Sequence, residues 1–189
     1  RDGARGGDLV FVSGTLGNSA LGLGIRRDAA QGRAWGLDDT SAEALRARYL
    51  RPEPRIGLVV PLRDHASAAM DISDGLVKDA KRLARASDVA ITLDAKLVPL
   101  SAAARAAVSC RPDLLETVVT GGDDYEVLAT VPPDQADLFR AGARERGVDV
   151  TVIGRVTQGT GLTVLALDGR PWAVTRDGWD HFPASTPEM

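Results

Sequence analysis

Cysteine and long hydrophobic runs are almost absent from this sequence of 189 residues. The single thiol, Cys110, cannot form an internal disulfide, so a disulfide-stapled fold is excluded. The longest apolar block, residues 56–62, is interrupted by Gly57 and Pro61 and is far shorter than the roughly 20 apolar residues that cross a bilayer. No basic segment followed by an apolar one has the pattern of a secretory leader. These absences predict a cytoplasmic protein with no membrane partner.

Basic side chains are slightly outnumbered, and almost all of them are arginine. The chain has 23 basic and 26 acidic residues, a net charge of −3, and three lysines beside twenty arginines. No basic run is longer than Arg26 and Arg27, so the electrostatic footprint of a nucleic-acid-binding protein is missing. Neither G-x-S-x-G nor H-E-x-x-H occurs, which disfavours a hydrolase triad and a zinc protease site.

The apolar fraction of 44% and the charged fraction of 26% are typical of one globular domain. Apolar residues recur at helical spacing in some segments and form short β-rich runs in others, without a clean βαβ repeat. We therefore predict an α+β fold, a mixed β-sheet with packed helices. The predicted helices are residues 41–50, 76–86, 101–109 and 134–146, and the predicted strands are residues 9–13, 67–72, 89–93, 125–131, 148–153 and 162–167.

A glycine-rich segment, GTLGNSALGLG, follows the first predicted strand. Such a segment can bring backbone N–H groups close to a phosphate. It can equally form a tight turn into a helix that packs closely on a neighbour. The spacing matches neither of the common phosphate-binding glycine motifs, so both interpretations remain open.

The segment MDISDGL places two carboxylates, Asp71 and Asp74, where a predicted strand passes into a predicted helix, with Ser73 between them. Mg²⁺ suits such a pair, because it takes a few carboxylate oxygens and shares the rest of its octahedron with water and phosphate. The alternative is structural: Ser73 or Asp74 caps the following helix while Asp71 forms a local turn.

Two further acidic segments lie downstream. GGDDYE, which contains Asp123, is a strongly negative turn that can seat a cation or bind a polar ligand group, or can simply be a solvated turn. GWDHF, which contains Trp179, offers an aromatic ring that can stack on a flat ligand or cover a cation, although a core position is the plainer explanation.

Taken in order, these segments resemble the C-terminal part of the thiamine-monophosphate kinase family, within the superfamily named after aminoimidazole ribonucleotide synthetase. The resemblance extends over nearly the whole chain. Enzymes of this family transfer the γ-phosphoryl of ATP to thiamine monophosphate with Mg²⁺, giving thiamine diphosphate. The resemblance therefore implies that reaction and the C-terminal-domain fold of the superfamily. The motifs that carry it are GDLVFVSGTLGNSALGL, YLRPEPR, ASAAMDISDGL, GGDDYEVL, VIGRV and GWDHF.

The resemblance also implies residue roles on the nucleotide side. Asp71 and Asp74 match the family's metal-binding acids, through which the chain would act in catalysis. Ser73 matches a residue that contacts ATP, and Arg1 matches an arginine upstream of the first strand that binds nucleotide. Asn18 departs from the family, which more often has aspartate there.

On the acceptor side, Asp123 matches a substrate-contacting position, and Trp179 matches the aromatic residue that lies against the thiamine moiety. A flat cationic heterocycle suits an aromatic face.

The resemblance implies that residues 1–182 are a C-terminal domain and that residues 183–189 are a loose tail. The family's N-terminal domain, which carries ATP-binding residues and the dimer contact, is not present, so we expect the fragment to be inactive alone and the full-length enzyme to be a homodimer. The alternatives are another ATP-using enzyme of the superfamily, of the selenophosphate synthetase or hydrogenase-maturation type, and a non-catalytic ligand-binding module.

Overall fold

The computed structural model of the chain describes residues 1–175 and Gly178. These residues form one six-stranded sheet with helices packed on both faces. Trp179 and residues 183–189, for which the sequence predicts a ligand contact and a loose tail, lie outside the described residues.

The sheet is mixed, and its strands lie in the spatial order β2-β4-β1-β5-β3-β6. Four of its five strand pairs are antiparallel, and only β3 and β6 run parallel. In the antiparallel pair of β2 and β4, Ile72 lies opposite Glu126. The end of β2 therefore meets the start of β4. The strands are β1 (Leu9–Ser13), β2 (Ala68–Ile72), β3 (Ala90–Asp94), β4 (Glu126–Val131), β5 (Val150–Thr157) and β6 (Gly161–Leu165).

Eight α-helices connect and cover these strands within the described part of the chain. No helix there is long and apolar enough to cross a bilayer. The helices are α1 (Asn18–Arg27), α2 (Ala30–Ala34), α3 (Asp39–Leu50), α4 (Val59–His65), α5 (Leu76–Ser87), α6 (Ala102–Cys110), α7 (Leu114–Thr120) and α8 (Ala136–Glu145).

The core has one layer on each face of the sheet, and successive side chains of β1 point into the two layers in turn. Val10 and Val12 face the larger layer, which contains buried residues of α1, α5, α6 and α7. Phe11 faces the smaller layer and meets Phe139 of α8 edge to face, with ring centroids 5.2 Å apart. The sheet is thus covered on both sides, and the functional residues must lie at its ends or edges.

The predicted α+β fold with a mixed sheet is confirmed. The predicted strands and helices are present with ends shifted by at most four residues, but α1, α2, α4 and α7 are not among the predicted helices. The apolar block at residues 56–62 is a short 3-10 turn followed by the first part of α4, although its β-branched residues favour a strand. Tertiary packing against α8 decides its conformation.

The glycine-rich segment is a tight turn into a closely packed helix. Gly17 has φ of 79° and immediately precedes α1, a conformation that favours glycine. A Cβ on Gly22 would lie 2.2 Å from the carbonyl oxygen of Leu45, so glycine permits α1 to pack directly on α3. Of the two interpretations left open by the sequence, the structure supports close packing.

Candidate active site

An open cleft of about 790 Å³ lies beside α1 and α7, at the end of the sheet where β2 finishes and β4 begins. It brings together three of the predicted site residues, Ser73, Asp74 and Asp123. Of the lining residues that the structure describes, four are acidic and one is basic. The lining consists of Ala20, Leu23, Arg27, Tyr49, Ser73, Asp74, Asp113, Glu116, Thr117, Thr120, Gly121, Gly122, Asp123, Tyr125, Thr175 and Gly178.

The turn after β2 is organised by a buried carboxylate further along α5. The backbone N–H groups of Ser73 and Asp74 donate to Oδ2 of Asp79 at 3.0 and 2.9 Å. Gly75, with φ of 116°, precedes the helix and provides no side-chain cap. The alternative that Ser73 or Asp74 caps α5 is therefore wrong, because Gly75 occupies the N-cap position.

Asp74 lies at the cleft between two cations of α5. Its Oδ2 is 2.7 Å from the guanidinium of Arg82 and 3.5 Å from Nζ of Lys78. Desolvation raises the pKa of Asp74, but the hydrogen bond and the positive charge of Arg82, with a contribution from Lys78, outweigh it, so the pKa lies below the usual range. The carboxylate is thus held ionised, the form in which an acid binds a metal ion.

Asp71 lies apart from this cleft. It is an exposed residue of β2, and its neighbours Met70 and Ile72 are buried in the larger core layer. Successive side chains of a strand point to opposite faces, so Asp71 points away from that layer. The structure does not place it among the residues that line the cleft.

The acids in the described part of the chain do not form a closed metal cage. Within residues 1–175 and Gly178, no group of three or more histidine, cysteine or acidic side chains is arranged to hold a metal ion. Mg²⁺ does not need such a cage, because it is often bound by one or two carboxylates together with phosphate oxygens and water. Asp74, ionised at the cleft, fits that partial role, and the other ligands would come from elsewhere.

The GGDDYE turn is hydrogen-bonded directly to the turn after β2. The N–H of Asp123 donates to the carbonyl of Ser73 at 2.9 Å, and the N–H of Tyr125 donates to the carbonyl of Ile72 at 2.9 Å. Asp123 and Tyr125 both have positive φ, of 68° and 51°. A Cβ on Gly122 would lie 2.3 Å from the Ser73 carbonyl oxygen, so glycine is needed for this contact. The backbone thus sets Asp123 beside Ser73 and Asp74.

The second acid of this turn, Asp124, caps α1. It is 2% exposed and accepts the N–H groups of Gly17 at 2.6 Å and Ser19 at 3.1 Å. Burial raises the pKa of Asp124 to about 7, although the two N–H groups act to lower it. Because Asp124 occupies these N–H groups, the start of α1 does not offer them to a phosphate.

The third acid, Glu126, is fully buried in an ion-pair network. Arg55 binds both of its carboxylate oxygens, at 2.7 and 2.6 Å, and Arg48 binds Oε1 at 3.0 Å. The hydroxyl of Ser13, at the end of β1, donates to Oε2 at 2.5 Å. Sequence reasoning missed these roles. The one available signal was the pairing of arginine-rich YLRPEPR with an acidic turn, which charge alone does not resolve.

Arg1 lies at the opposite end of α5 from the cleft. Its carbonyl accepts a hydrogen bond from the hydroxyl of Ser87, the last residue of α5, at 3.1 Å. Ser73 lies before the first turn of the same helix, which has 12 residues and is therefore about 18 Å long. The chain by itself does not bring Arg1 and Ser73 together, so a shared nucleotide-binding role stays a prediction.

The segment after β6 returns to the cleft. Glu116 of α7 accepts hydrogen bonds from the N–H and the hydroxyl of Thr175, the latter at 2.7 Å. Gly178 has φ of 138°, and a Cβ there would lie 2.5 Å from the Asp74 carbonyl oxygen. The residue before Trp179 therefore touches the turn after β2, while the predicted role of Trp179 itself stays a prediction.

Comparison with known proteins agrees with this geometry. Residues 5–166 match the family described as AIR synthase related protein, C-terminal domain. The chain is 39% identical over 184 residues to a thiamine-monophosphate kinase of Caulobacter vibrioides, covering 96% of this chain and 50% of that protein. It is 40% identical to that of Aquifex aeolicus, covering 96% and 54%. The chain thus spans about half the length of these curated relatives.

Solved structures give the same result. The crystal structure of thiamine-monophosphate kinase from Stenotrophomonas maltophilia K279a superposes with a TM-score of 0.79 at 38% identity, covering 90% of this chain and 53% of that one. A structure described as AaThiL complexed with AMPPCP and TMP superposes with a TM-score of 0.78 at 39% identity, covering 96% and 53%. Escherichia coli HypE, at 21% identity and a TM-score of 0.67, shares the fold. The resemblance found in the motifs is confirmed, and the chain belongs to the AIR synthase related family as a C-terminal domain.

Proposed function

We propose that the protein containing this chain is a thiamine-monophosphate kinase. In this reaction the bond between the γ-phosphorus of ATP and the bridging oxygen to the β-phosphate breaks. A phosphate oxygen of thiamine monophosphate forms the new bond to the γ-phosphorus. The products are ADP and thiamine diphosphate, and no covalent intermediate on the protein is needed.

The observation that carries the proposal is the meeting of Ser73, Asp74 and Asp123 at one cleft. These residues come from two separate motifs that share backbone hydrogen bonds. The chain that holds them is 39% identical to a protein whose structure is described as complexed with AMPPCP and TMP. Geometry and similarity therefore point to the same site and the same pair of ligands.

The charge of the cleft suits the acceptor. Thiamine carries a cationic thiazolium ring, and among the described residues Asp113, Glu116 and Asp123 line the cleft with Arg27 as the one basic residue. Tyr49 and Tyr125 add aromatic surface, which attracts a cation at its face. We assign Asp123 and Trp179 to binding of the thiamine moiety.

The phosphoryl-transfer end of the site lies at the turn after β2. Phosphoryl transfer needs the two anions held in line and the charge of the transferred group neutralised. We assign Asp74, with Asp71, to binding of Mg²⁺, which when bound supplies that neutralisation. Ser73 and Arg1 are assigned to ATP.

The remaining side chains that bind Mg²⁺ and ATP would come from the part of the full-length protein that precedes the matched region in the relatives. That part would also supply the contact of a homodimer. We further propose that the enzyme is cytoplasmic and acts on small molecules, with neither a nucleic-acid nor a membrane partner.

An assay of the full-length protein tests this proposal. The protein is incubated with ATP, Mg²⁺ and thiamine monophosphate, and thiamine diphosphate is followed by phosphorus NMR. We expect one equivalent of thiamine diphosphate for each ADP formed, with no turnover when the acceptor is omitted. ATP consumption without formation of thiamine diphosphate would reject the proposal and favour another ATP-using enzyme of the superfamily.

A further inference from the structure

Asp79 does not line the cleft, and its side chain is fully buried one turn into α5. Its Oδ2 accepts the N–H groups of both Ser73 and Asp74. Its Oδ1 accepts a hydrogen bond from Arg82 at 2.8 Å. The Asp79 carboxylate thus binds the backbone of two predicted ligand-binding residues, Ser73 and Asp74, and also the side chain of Arg82.

These contacts determine the path of the turn. Ser73 and Asp74 precede the helix, so their N–H groups have no partner within α5. Without Asp79 the turn would lose two hydrogen bonds to a charged acceptor, which are stronger than those between neutral groups. The turn would then relax toward other conformations, and the directions of the Ser73 and Asp74 side chains would change with it.

Arg82 extends the same arrangement to the Asp74 carboxylate. Its guanidinium bridges Oδ1 of Asp79 and Oδ2 of Asp74, at 2.8 and 2.7 Å. Because Asp79 is buried and Arg82 is partly exposed, Asp79 is the fixed end of the bridge. It therefore holds the Asp74 side chain through Arg82 as well as the Asp74 backbone.

We propose that Asp79 is a positioning residue that sets Ser73 and Asp74 for binding of the magnesium-bound nucleotide. This inference rests on the proposed function, since it takes the nucleotide as the ligand of that turn. Asp79 does not line the cleft and acts only through its neighbours. Loss of such an indirect support for a metal site typically lowers metal affinity or activity by about 10- to 100-fold.

The test uses the full-length protein with Asp79→Asn and Asp79→Ala. The asparagine oxygen can still accept the two N–H groups, whereas alanine accepts none, so the conservative variant should retain more function. Binding of Mg²⁺ with the non-hydrolysable analogue AMPPCP is measured by calorimetry, and binding of thiamine monophosphate is measured separately. Hydrogen exchange of the peptide over residues 72–78 gives a readout that is independent of ligand.

A matched control is Asp8→Asn. Asp8 is also buried and accepts a backbone N–H, that of Arg5 at 2.9 Å, and a hydroxyl, that of Ser67 at 2.5 Å. It lies immediately before β1, whereas the cleft lies beyond the other end of that strand. Asp8→Asn should therefore lower the melting temperature without changing nucleotide binding.

We expect Asp79→Ala to weaken binding of the magnesium-bound analogue by about 10- to 100-fold and Asp79→Asn to weaken it less. Both should weaken thiamine monophosphate binding by a smaller factor, and both should speed hydrogen exchange over residues 72–78. Folded Asp79 variants with wild-type nucleotide affinity would overturn the inference, as would an equal loss in Asp8→Asn. If only Asp79→Asn folds, its affinity and exchange rate decide. Failure of the wild-type protein to form thiamine diphosphate would instead reject the proposed function.

Discussion

Two acids of the GGDDYE turn, Asp124 and Glu126, differ in their surroundings from Asp74 and Asp123, which line the cleft. Asp124 and Glu126 are almost fully buried, and their partners are backbone N–H groups of α1 and two arginines. Asp74 faces the cleft and is balanced by two partly accessible cations, while Asp123 beside it is half-buried. Asp123 is one residue from Asp124 and three from Glu126, yet these acids belong to two classes, one that holds the fold and one that lines the cleft.

The difference shows that the number of acids in a motif does not measure the charge offered to a ligand. Of the three acids in GGDDYE, only Asp123 lines the cleft. Asp124 connects this turn to α1. Glu126 connects it to the end of β1, to Arg48 of α3 and to Arg55 of the following loop. They are expected to change stability when substituted, while the cleft acids are expected to change binding and turnover.

The largest effect is expected for Glu126→Gln. Removing the buried charge leaves Arg48 and Arg55 paired with the exposed Glu53 but no longer with a buried acid, and loss of one member of a buried ion pair costs about 3–5 kcal/mol. Urea denaturation of the chain measures this loss. Asp137→Asn, which breaks an exposed pair with Arg140, is the control and should cost about 1 kcal/mol or less. Equal effects of the two substitutions would erase the distinction between the classes.

Asp124→Asn should change the pH dependence of stability. The pKa of Asp124 is about 7 in the folded chain and near 3.8 when unfolded. Between pH 3.8 and 7 the folded state therefore keeps a proton on Asp124 that the unfolded state has lost. Its contribution to stability is complete below pH 4 and falls by up to about 4 kcal/mol as the pH rises through 7. The measurement is the free energy of unfolding of both proteins from pH 4 to 8. A pH-independent difference between them would contradict this reasoning.

Asp74→Asn should affect turnover far more than folding. We expect kcat/KM of the full-length enzyme to fall by about 10²- to 10³-fold, as when one electrostatic stabiliser of a transition state is removed. The free energy of unfolding should change by about 1 kcal/mol, because Arg82 is substantially exposed and keeps Asp79 as a partner, and the contact with Lys78 is long at 3.5 Å. Steady-state kinetics and urea denaturation of the same samples check both values. A variant that turns over normally would move Asp74 into the structural class.

The smallest effect is expected for Glu116→Ala. Glu116 lines the cleft but also binds Thr175, so it lies between the two classes. Losing these hydrogen bonds should cost about 0.5–1.5 kcal/mol of stability and should weaken thiamine monophosphate binding through the displaced C-terminal segment. Glu116→Gln keeps an acceptor oxygen and should recover much of the binding in calorimetry. If neither variant alters binding, the segment does not form part of the acceptor site.

Local patterns predicted the mixed sheet and the strand-turn-helix at Asp71 and Asp74, because apolar periodicity and turn residues are local signals. They could not predict the pairing of β2 with β4, which joins segments distant in sequence and brings Asp123 beside Ser73. Asp124 and Glu126 were likewise hidden, because a buried acid differs from a solvated one only through distant partners. α4 was missed since its β-branched residues favour a strand until α8 packs on it.

The most direct test compares two neighbouring acids of the same turn. Full-length Asp123→Asn and Asp124→Asn are titrated with thiamine monophosphate in the calorimeter at pH 7.5, with circular dichroism to confirm that both are folded. The division into ligand-facing and structural acids predicts that Asp123→Asn loses saturable binding while Asp124→Asn binds as the wild type does. Normal binding by Asp123→Asn, or loss of binding confined to a folded Asp124→Asn, would contradict it.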